Sequence, residues 1–288
     1  MKRKNNIFTI FFIVSILMSA CTDDRLSENG ELPRMDDSNG IVRLTVAPES
    51  RTLSLSIDAS VQARANVWID LDGDGLRSKD GVEDIKVFNR YQDYSFAAGL
   101  NTVTLHGDIT YFAAADNKLT AIDVSGSQSL LTLNIPMNRL TTLDVSKNRV
   151  LERLDCSGNE LSTLNVSGNS ALLSLWCANN SLKGLDVSGN AKLFMLDCSG
   201  NQLETLDTSK NSQLMRLLCQ NNSLKSLDIS DKSGLNLLWS FGNPLEKEKI
   251  SRIIAMLKDV EGGDLWLSLD PLSDKDAQVA INKGWKVL

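Results

Sequence analysis

The sequence predicts a solenoid of short parallel strands with few helices. It places an antiparallel β-module at the N-terminal end and a helix–strand cap at the C-terminal end. Three observations predict this. Leucines recur every 21 residues through the middle of the chain. Ahead of them, apolar and polar residues alternate as they do in strands, and no helical period is visible. Behind them the 21-residue period stops and helical spacing replaces it. An apolar share of 42% supports a core, and 23% charged residues suit a water-facing surface. The net charge of −6 argues against sequence-independent nucleic-acid binding, which needs clustered Lys and Arg. A single histidine, His106, leaves little material for a Ser-His-Asp or Cys-His site or a multi-histidine metal centre.

Residues 1–20 read as a leader. Lys2-Arg3-Lys4 is a basic start, and residues 7–18 are an almost unbroken apolar run, of signal-peptide length and short for a transmembrane helix. The run ends in Leu17-Met18-Ser19-Ala20-Cys21. That ending resembles the lipobox of bacterial lipoproteins, with Met18 where leucine is more usual. The resemblance implies that Cys21 is acylated and holds the protein to a membrane by lipid alone; an ordinary secretory signal is the alternative. Thr22-Asp23-Asp24 resembles the export signal of surface lipoproteins in Bacteroidetes-type bacteria, which implies an outer-membrane lipoprotein exposed at the cell surface. Residues 21–40 are polar and acidic and read as a solvated tether.

Residues 41–111 carry alternating runs at 41–46, 53–57, 67–71 and 103–107, expected to form a small antiparallel β-module that also caps the solenoid. Within it, Asp70-Leu71-Asp72-Gly73-Asp74-Gly75 matches the opening of an EF-hand calcium loop. Position 12, which should be Glu, is Gly81; Asp80 and Glu83 stand one before and two after it. The stretch before the loop reads as strand. The segment is therefore either a calcium site on a hairpin, with Asp70, Asp72, Asp74 and Asp80 or Glu83 as ligands, or an acidic turn. His106 reads as a surface or cap residue.

Residues 112–245 hold the repeats. Leu133, Leu154, Leu175, Leu196, Leu217 and Leu238 form one column, Leu140 to Leu245 a second, and Leu143 to Leu227 a third. Asn117, Asn138, Asn159, Asn180, Asn201, Asn222 and Asn243 form a fourth. The unit is L-x-x-L-x-C-x-x-N-x-L-x-x-L-D-V-S-x-N-x-x. Strand side chains alternate, so Leu-x-Cys points two apolar groups the same way. One turn cannot bury that face; stacking turns at roughly 4.8 Å can. The Asn column falls where the chain leaves the strand, and its amides can bond the turn backbone.

The unit resembles a leucine-rich repeat. Cys156, Cys177, Cys198 and Cys219 stack at one core position, with Ala114 and Ile135 before them and Ser240 after. This column resembles the cysteine ladder of certain internalins, whose repeats also have 21 residues. The resemblance implies recognition of host protein or glycan by a surface adhesin. A metal site would place cysteines in close pairs, about two to four apart. Spacings of 21 at a core position instead read as small buried hydrophobes.

Residues 246–288 read as a C-terminal cap. Ile250, Ile253, Ile254 and Leu257 share one helical face, Gly262-Gly263 breaks it, and Leu265-Trp266-Leu267 reads as strand. Ser273 is placed to cap a second helix, and residues 284–288 read as a last strand. The two strands are expected to extend the solenoid sheet; a partner-binding helix is the alternative.

Residues flanking each core Leu point outward. Arg153, Asp155, Trp176, Met195, Asp197, Arg216, Leu218, Trp239 and Phe241 form the expected ligand face, with large apolar groups where water is expected. It suits a host or bacterial surface protein, or a glycan stacked on indole rings. The alternative is that the cap or a sheet edge covers part of the strip. On the other side, Asp123, Asp144, Asp186, Asp207 and Asp228 are expected to bond turn backbone. No nucleophile–base pair, phosphate loop or metal cluster points to catalysis; an enzyme would need a pair of perturbed carboxylates in a cleft.

Overall fold

The computed structural model describes residues 40–288. The leader, Cys21 and the tether up to residue 39 lie outside the described residues. The N-terminal module contributes β1 (Ile41–Val46), β2 (Thr52–Ala59), β3 (Trp68–Asp70), β4 (Gln92–Ser95) and β5 (Thr102–His106). Then follow β6 (Ile109–Ala113), β7 (Leu119–Asp123), β8 (Thr132–Asn134), β9 (Arg153–Asp155), β10 (Ser174–Trp176), β11 (Met195–Asp197), β12 (Arg216–Leu218) and β13 (Leu237–Trp239). The chain closes with α1 (Lys247–Met256), β14 (Gly263–Trp266), α2 (Asp274–Asn282) and β15 (Trp285–Val287). The mostly-strand fold with few helices agrees with the sequence.

The strands form two sheets. One is four-stranded and antiparallel, in the order β3-β5-β1-β7. The other has 11 strands, in the order β15-β14-β13-β12-β11-β10-β9-β8-β6-β2-β4. It is mixed. From β6 to β15 neighbours are parallel, whereas β6 meets β2 and β2 meets β4 antiparallel. Strand β6 thus belongs both to the repeats and to the module, and β7, within the first repeat, pairs with β1. The module continues both sides of the first turn. One apolar cluster accordingly runs from Val42 to Trp285.

Repeat register follows the leucine column: Leu133 pairs with Leu154, then Leu175, Leu196, Leu217 and Leu238, all fully buried. Cys156, Cys177, Cys198 and Cys219 are free thiols, also fully buried. Burial pushes the Cys219 thiol up to about 12 and the other three higher, so none of the four is a nucleophile or ready metal ligand at neutral pH.

The Asn column ties turns together. Asn201 Nδ2 donates to Cys177 O and Cys198 O, both at 3.0 Å, while its Oδ1 accepts from Leu182 N at 3.0 Å. Asn159 and Asn222 repeat the pattern. A second column, Asn148, Asn169, Asn190 and Asn211, donates from Nδ2 to the preceding turn in the same manner. Lys232 takes that place in the last turn, its buried Nζ donating to Thr208 O at 2.9 Å and to the Asp231 carboxylate. Each turn leaves its strand through a residue at positive φ, and the left-handed region explains why Gly158, Asn179, Gly200, Asn221 and Gly242 occupy it; Met137 is the exception.

In the cap, Ile250, Ile253 and Ile254 of α1 are buried, and Ser273 accepts from Asp276 N to start α2. Strands β14 and β15 join the sheet in register beyond β13. No helix among the described residues is long and apolar enough to cross a membrane.

Candidate functional site

The repeat geometry places the outward residues in rows across the long sheet. One row runs Asn134, Asp155, Trp176, Asp197, Leu218, Trp239 and Trp266, each paired with the next. A second runs Thr132, Arg153, Ser174, Met195, Arg216, Leu237 and Asp264. Eight of the nine residues expected on this face occupy these two rows; the ninth, Phe241, lies two residues past β13, with its ring against Trp266. Trp176, Met195, Leu218, Trp239 and Phe241 are half-buried, because neighbouring rows pack against their flanks.

Sequence reasoning missed one part of this surface and one apolar column beside the strands. Trp266 lies in the cap, yet its register puts it beside Trp239. Its ring centroid is 4.0 Å from Phe241 and 6.0 Å from Trp239, giving a three-ring cluster. Cap strands β14 and β15 add to the sheet side by side, so the cap lengthens the face by two strands. The alternation Leu265-Trp266-Leu267 carried the signal, had it been placed in register with the repeats. The second miss is the column just before each strand: Leu131 is 39%, Phe194 37% and Met215 44% exposed, with Leu173 half-buried among them. These are the more open apolar groups along the strand entrances.

The electrostatics of the face are uneven. Burial pushes the Asp155 carboxyl above the ordinary range; Ser157 offsets this in part, and the Asp197 charge adds to it. Burial likewise raises Asp197, against the pull of Ser199. Asp155 Oδ1 accepts from Ser157 N at 3.0 Å. Asp197 Oδ1 accepts from Ser199 N at 3.0 Å and from Ser199 Oγ at 2.6 Å. Burial raises the module's Tyr91, the Tyr111 charge adds to this, and a hydrogen bond with the Ala115 backbone offsets it in part. These two perturbed carboxylates are the kind of pair an enzyme would use, but they flank an indole on a sheet face. A cavity of about 460 Å³ lies elsewhere, between α1 and the last return turn, lined by Leu227, Asp228, Lys249, Arg252 and Met256.

On the opposite side the acidic column bonds turn backbone. Asp144, Asp186 and Asp228 each accept from the serine amide two residues on at 2.9 Å, and Asp207 does so at 2.8 Å. Those bonds hold these carboxyls below the usual range. Asn165, which interrupts the column, makes the same bond to Ser167 at 3.0 Å.

In the acidic loop of the module, carboxylate oxygens of Asp70, Asp72 and Glu83 lie within 4.8 Å of one another. Asp70 and Glu83 are buried and accept from four amides: Gly73, Gly75, Leu71 and Ser78. Asp74 and Asp80 instead close their own turns through Leu76 N and Val82 N and are not part of the converging group. A set of three carboxylates is the donor chemistry of a hard cation such as calcium. His106 stacks flat on Trp68, with centroids 4.0 Å apart, on the outside of the four-stranded sheet.

Comparison with known proteins agrees with this geometry. The functional domain of InlJ from Listeria monocytogenes, which includes a cysteine ladder, is 27% identical, with a TM-score of 0.55 over 64% of this chain and 41% of that one. The internalin InlF of the same species is 16% identical (TM-score 0.50, 57% and 48% covered), and internalin C2 is 18% identical (TM-score 0.50, 62% and 80% covered). The last two speak to fold alone. The chain spans about two fifths of the InlJ domain it matches. A pattern for the LVIVD repeat matches residues 101–134 and 219–242. No curated protein sequence matches the chain. The fold is therefore that of an internalin-like leucine-rich repeat, with a cysteine ladder shared with InlJ.

Proposed function

We propose that the chain is an exported surface lipoprotein that binds a protein partner through the outward face of its long sheet, without catalysing a reaction. Cys21 would carry the lipid, and the tether would hold the solenoid away from an outer membrane. The observation that carries the binding proposal is the in-register row from Asn134 to Trp266, which gathers half-buried aromatic and apolar groups beside Asp155, Asp197 and Arg216 on one regular surface. Half-buried aromatics with polar neighbours are the composition of energetically dominant contacts between proteins. The cysteine ladder shared with InlJ supports the same class of role.

A glycan is the second reading, favoured by the Trp239–Phe241–Trp266 cluster on which sugar rings could stack. An array of host proteins, bacterial envelope proteins and glycans, probed with the purified chain, separates the two. Protein spots that resist free sugar support the first reading. Glycan spots competed by free sugar support the second.

For the acidic loop we propose calcium held by Asp70, Asp72 and Glu83, bracing the segment between β3 and β4. Thermal unfolding with calcium and with a chelator tests this: a bound ion raises the midpoint as its concentration exceeds the dissociation constant.

A further inference from the structure

The sheet face carries a local charge with no partner. Trp176 pairs on one side with Asp155 and on the other with Asp197, so the tryptophan stands on the strand between two aspartates, with neighbouring backbones roughly 4.8 Å apart. Both carboxylates are half-buried, and the hydrogen bonds they accept come from neutral serines two residues on, just past the ends of β9 and β11. Among the described residues neither takes part in an ion pair. The cations closest in the pattern are otherwise placed: Arg153 leans to Glu152 at 3.8 Å, and Arg216 stands in the neighbouring row, exposed.

Half-burying two like charges around a ring, with no counter-charge, costs stability. A cation laid on the indole reverses that cost, because the ring face and both carboxylates attract it at once. We infer that the Asp155–Trp176–Asp197 triplet receives a cationic side chain, lysine or arginine, projecting from the protein partner. The inference rests on the binding role proposed above and names the chemistry of its central contact. The aromatic cluster around Trp266 would hold the apolar part of the same partner, several strands further along.

Hexa-arginine peptide is the probe, with hexa-glutamate as its control, titrated into the purified chain at low ionic strength and followed by calorimetry. Because the chain is acidic overall, charge removal has to be matched. Asp155→Asn/Asp197→Asn removes two charges from the face, and Asp186→Asn/Asp207→Asn removes two from the opposite side. The face variant is expected to lose about tenfold or more in affinity for hexa-arginine, and the opposite-side variant about twofold or less. Trp176→Phe keeps a ring but is expected to abolish the fluorescence change at that site. Circular dichroism of each variant checks that it folds. Equal losses in both charge variants, no loss in either, or binding of hexa-glutamate would overturn the inference. A protein captured on the array that is lost with Trp176→Ala/Trp239→Ala but retained with Asp155→Asn/Asp197→Asn would leave the binding face standing and sink the cation inference alone. A protein lost with both variants supports both.

Discussion

Replacing Asn201 by Ala tests how the turns are held together. Among the described residues, Asn201 Oδ1 accepts the only hydrogen bond made by Leu182 N, and Leu182 is fully buried. Truncation leaves that amide unpaired, which costs about 1–3 kcal/mol. Cys177 O keeps Asn180 Nδ2 at 3.2 Å and Cys198 O keeps Asn222 Nδ2 at 3.0 Å, so each carbonyl loses one of two donors, at about 0.5 kcal/mol apiece. The expected total is about 2–4 kcal/mol. Asn211→Ala is the internal control. Asn211 Nδ2 donates at 3.0 and 2.9 Å to carbonyls of the preceding turn, but its Oδ1 accepts nothing among the described residues. Its loss should cost about 1 kcal/mol. Asn201→Asp keeps the acceptor for Leu182 N but turns a carboxylate oxygen toward two carbonyls, and should cost more than Ala at neutral pH. Urea denaturation gives the totals, and amide hydrogen exchange at Leu182 locates the damage, since repeat stability is largely a nearest-neighbour property. Equal costs for Asn201→Ala and Asn211→Ala, or unchanged exchange at Leu182, would refute this reasoning.

Four further outcomes are expected. Gly200→Ala should destabilise by about 2 kcal/mol, because Gly200 has φ +63° and an added Cβ would strike Asn179 Oδ1; a cost near zero in thermal melts would show that the turn relaxes freely. Asp155 and Asp197 have carboxyls raised above their ordinary 3.8, so the native state holds their protons more tightly and they lower stability as pH rises through the raised range. Asp155→Asn/Asp197→Asn should therefore match wild type in acid and be at least as stable near pH 7, whereas a variant less stable near neutrality would contradict the sign. The four core thiols should resist a thiol reagent until the protein unfolds, since burial raises all of them; fast labelling of the native chain would refute this. Calcium should raise the midpoint in wild type and not in Asp70→Asn/Glu83→Gln, measured by calorimetry against a chelator; an equal shift in both would place any calcium elsewhere.

The repeat was legible because a 21-residue period assigns every Leu, Cys and Asn a register, and stacking converts that register directly into rows on a face. Asp155, Trp176 and Asp197 could be aligned from spacing alone for this reason. The module was legible only strand by strand. The pairing of Ser56 with Ala113, and of Arg43 with Asp123, joins residues far apart in the chain that no local period connects. Strand β4, which pairs antiparallel with β2, was missed for the same reason. Trp266 was hidden because the cap breaks the period while keeping the sheet, so its place beside Trp239 follows from hydrogen-bond register and not from counting. In the acidic loop, the position-12 rule pointed equally to Asp80 and Glu83. Glu83, not Asp80, is the one whose carboxylate converges with Asp70 and Asp72, because the returning chain carries it back beside β3, where Ile69 N bonds Glu83 O at 2.8 Å.

The central claim is that the outward sheet face is the binding surface. Its most direct test is the affinity of a partner taken from the array for wild type, for Trp176→Ala/Trp239→Ala, and for Asp186→Asn/Asp207→Asn on the opposite side. Truncating two well-packed tryptophans at a contact costs about 2 kcal/mol or more each, so the first variant should bind roughly a thousandfold more weakly while the second binds like wild type. Undiminished binding by the tryptophan variant, with loss in the opposite-side variant, would move the binding surface to the other side of the solenoid and contradict the account.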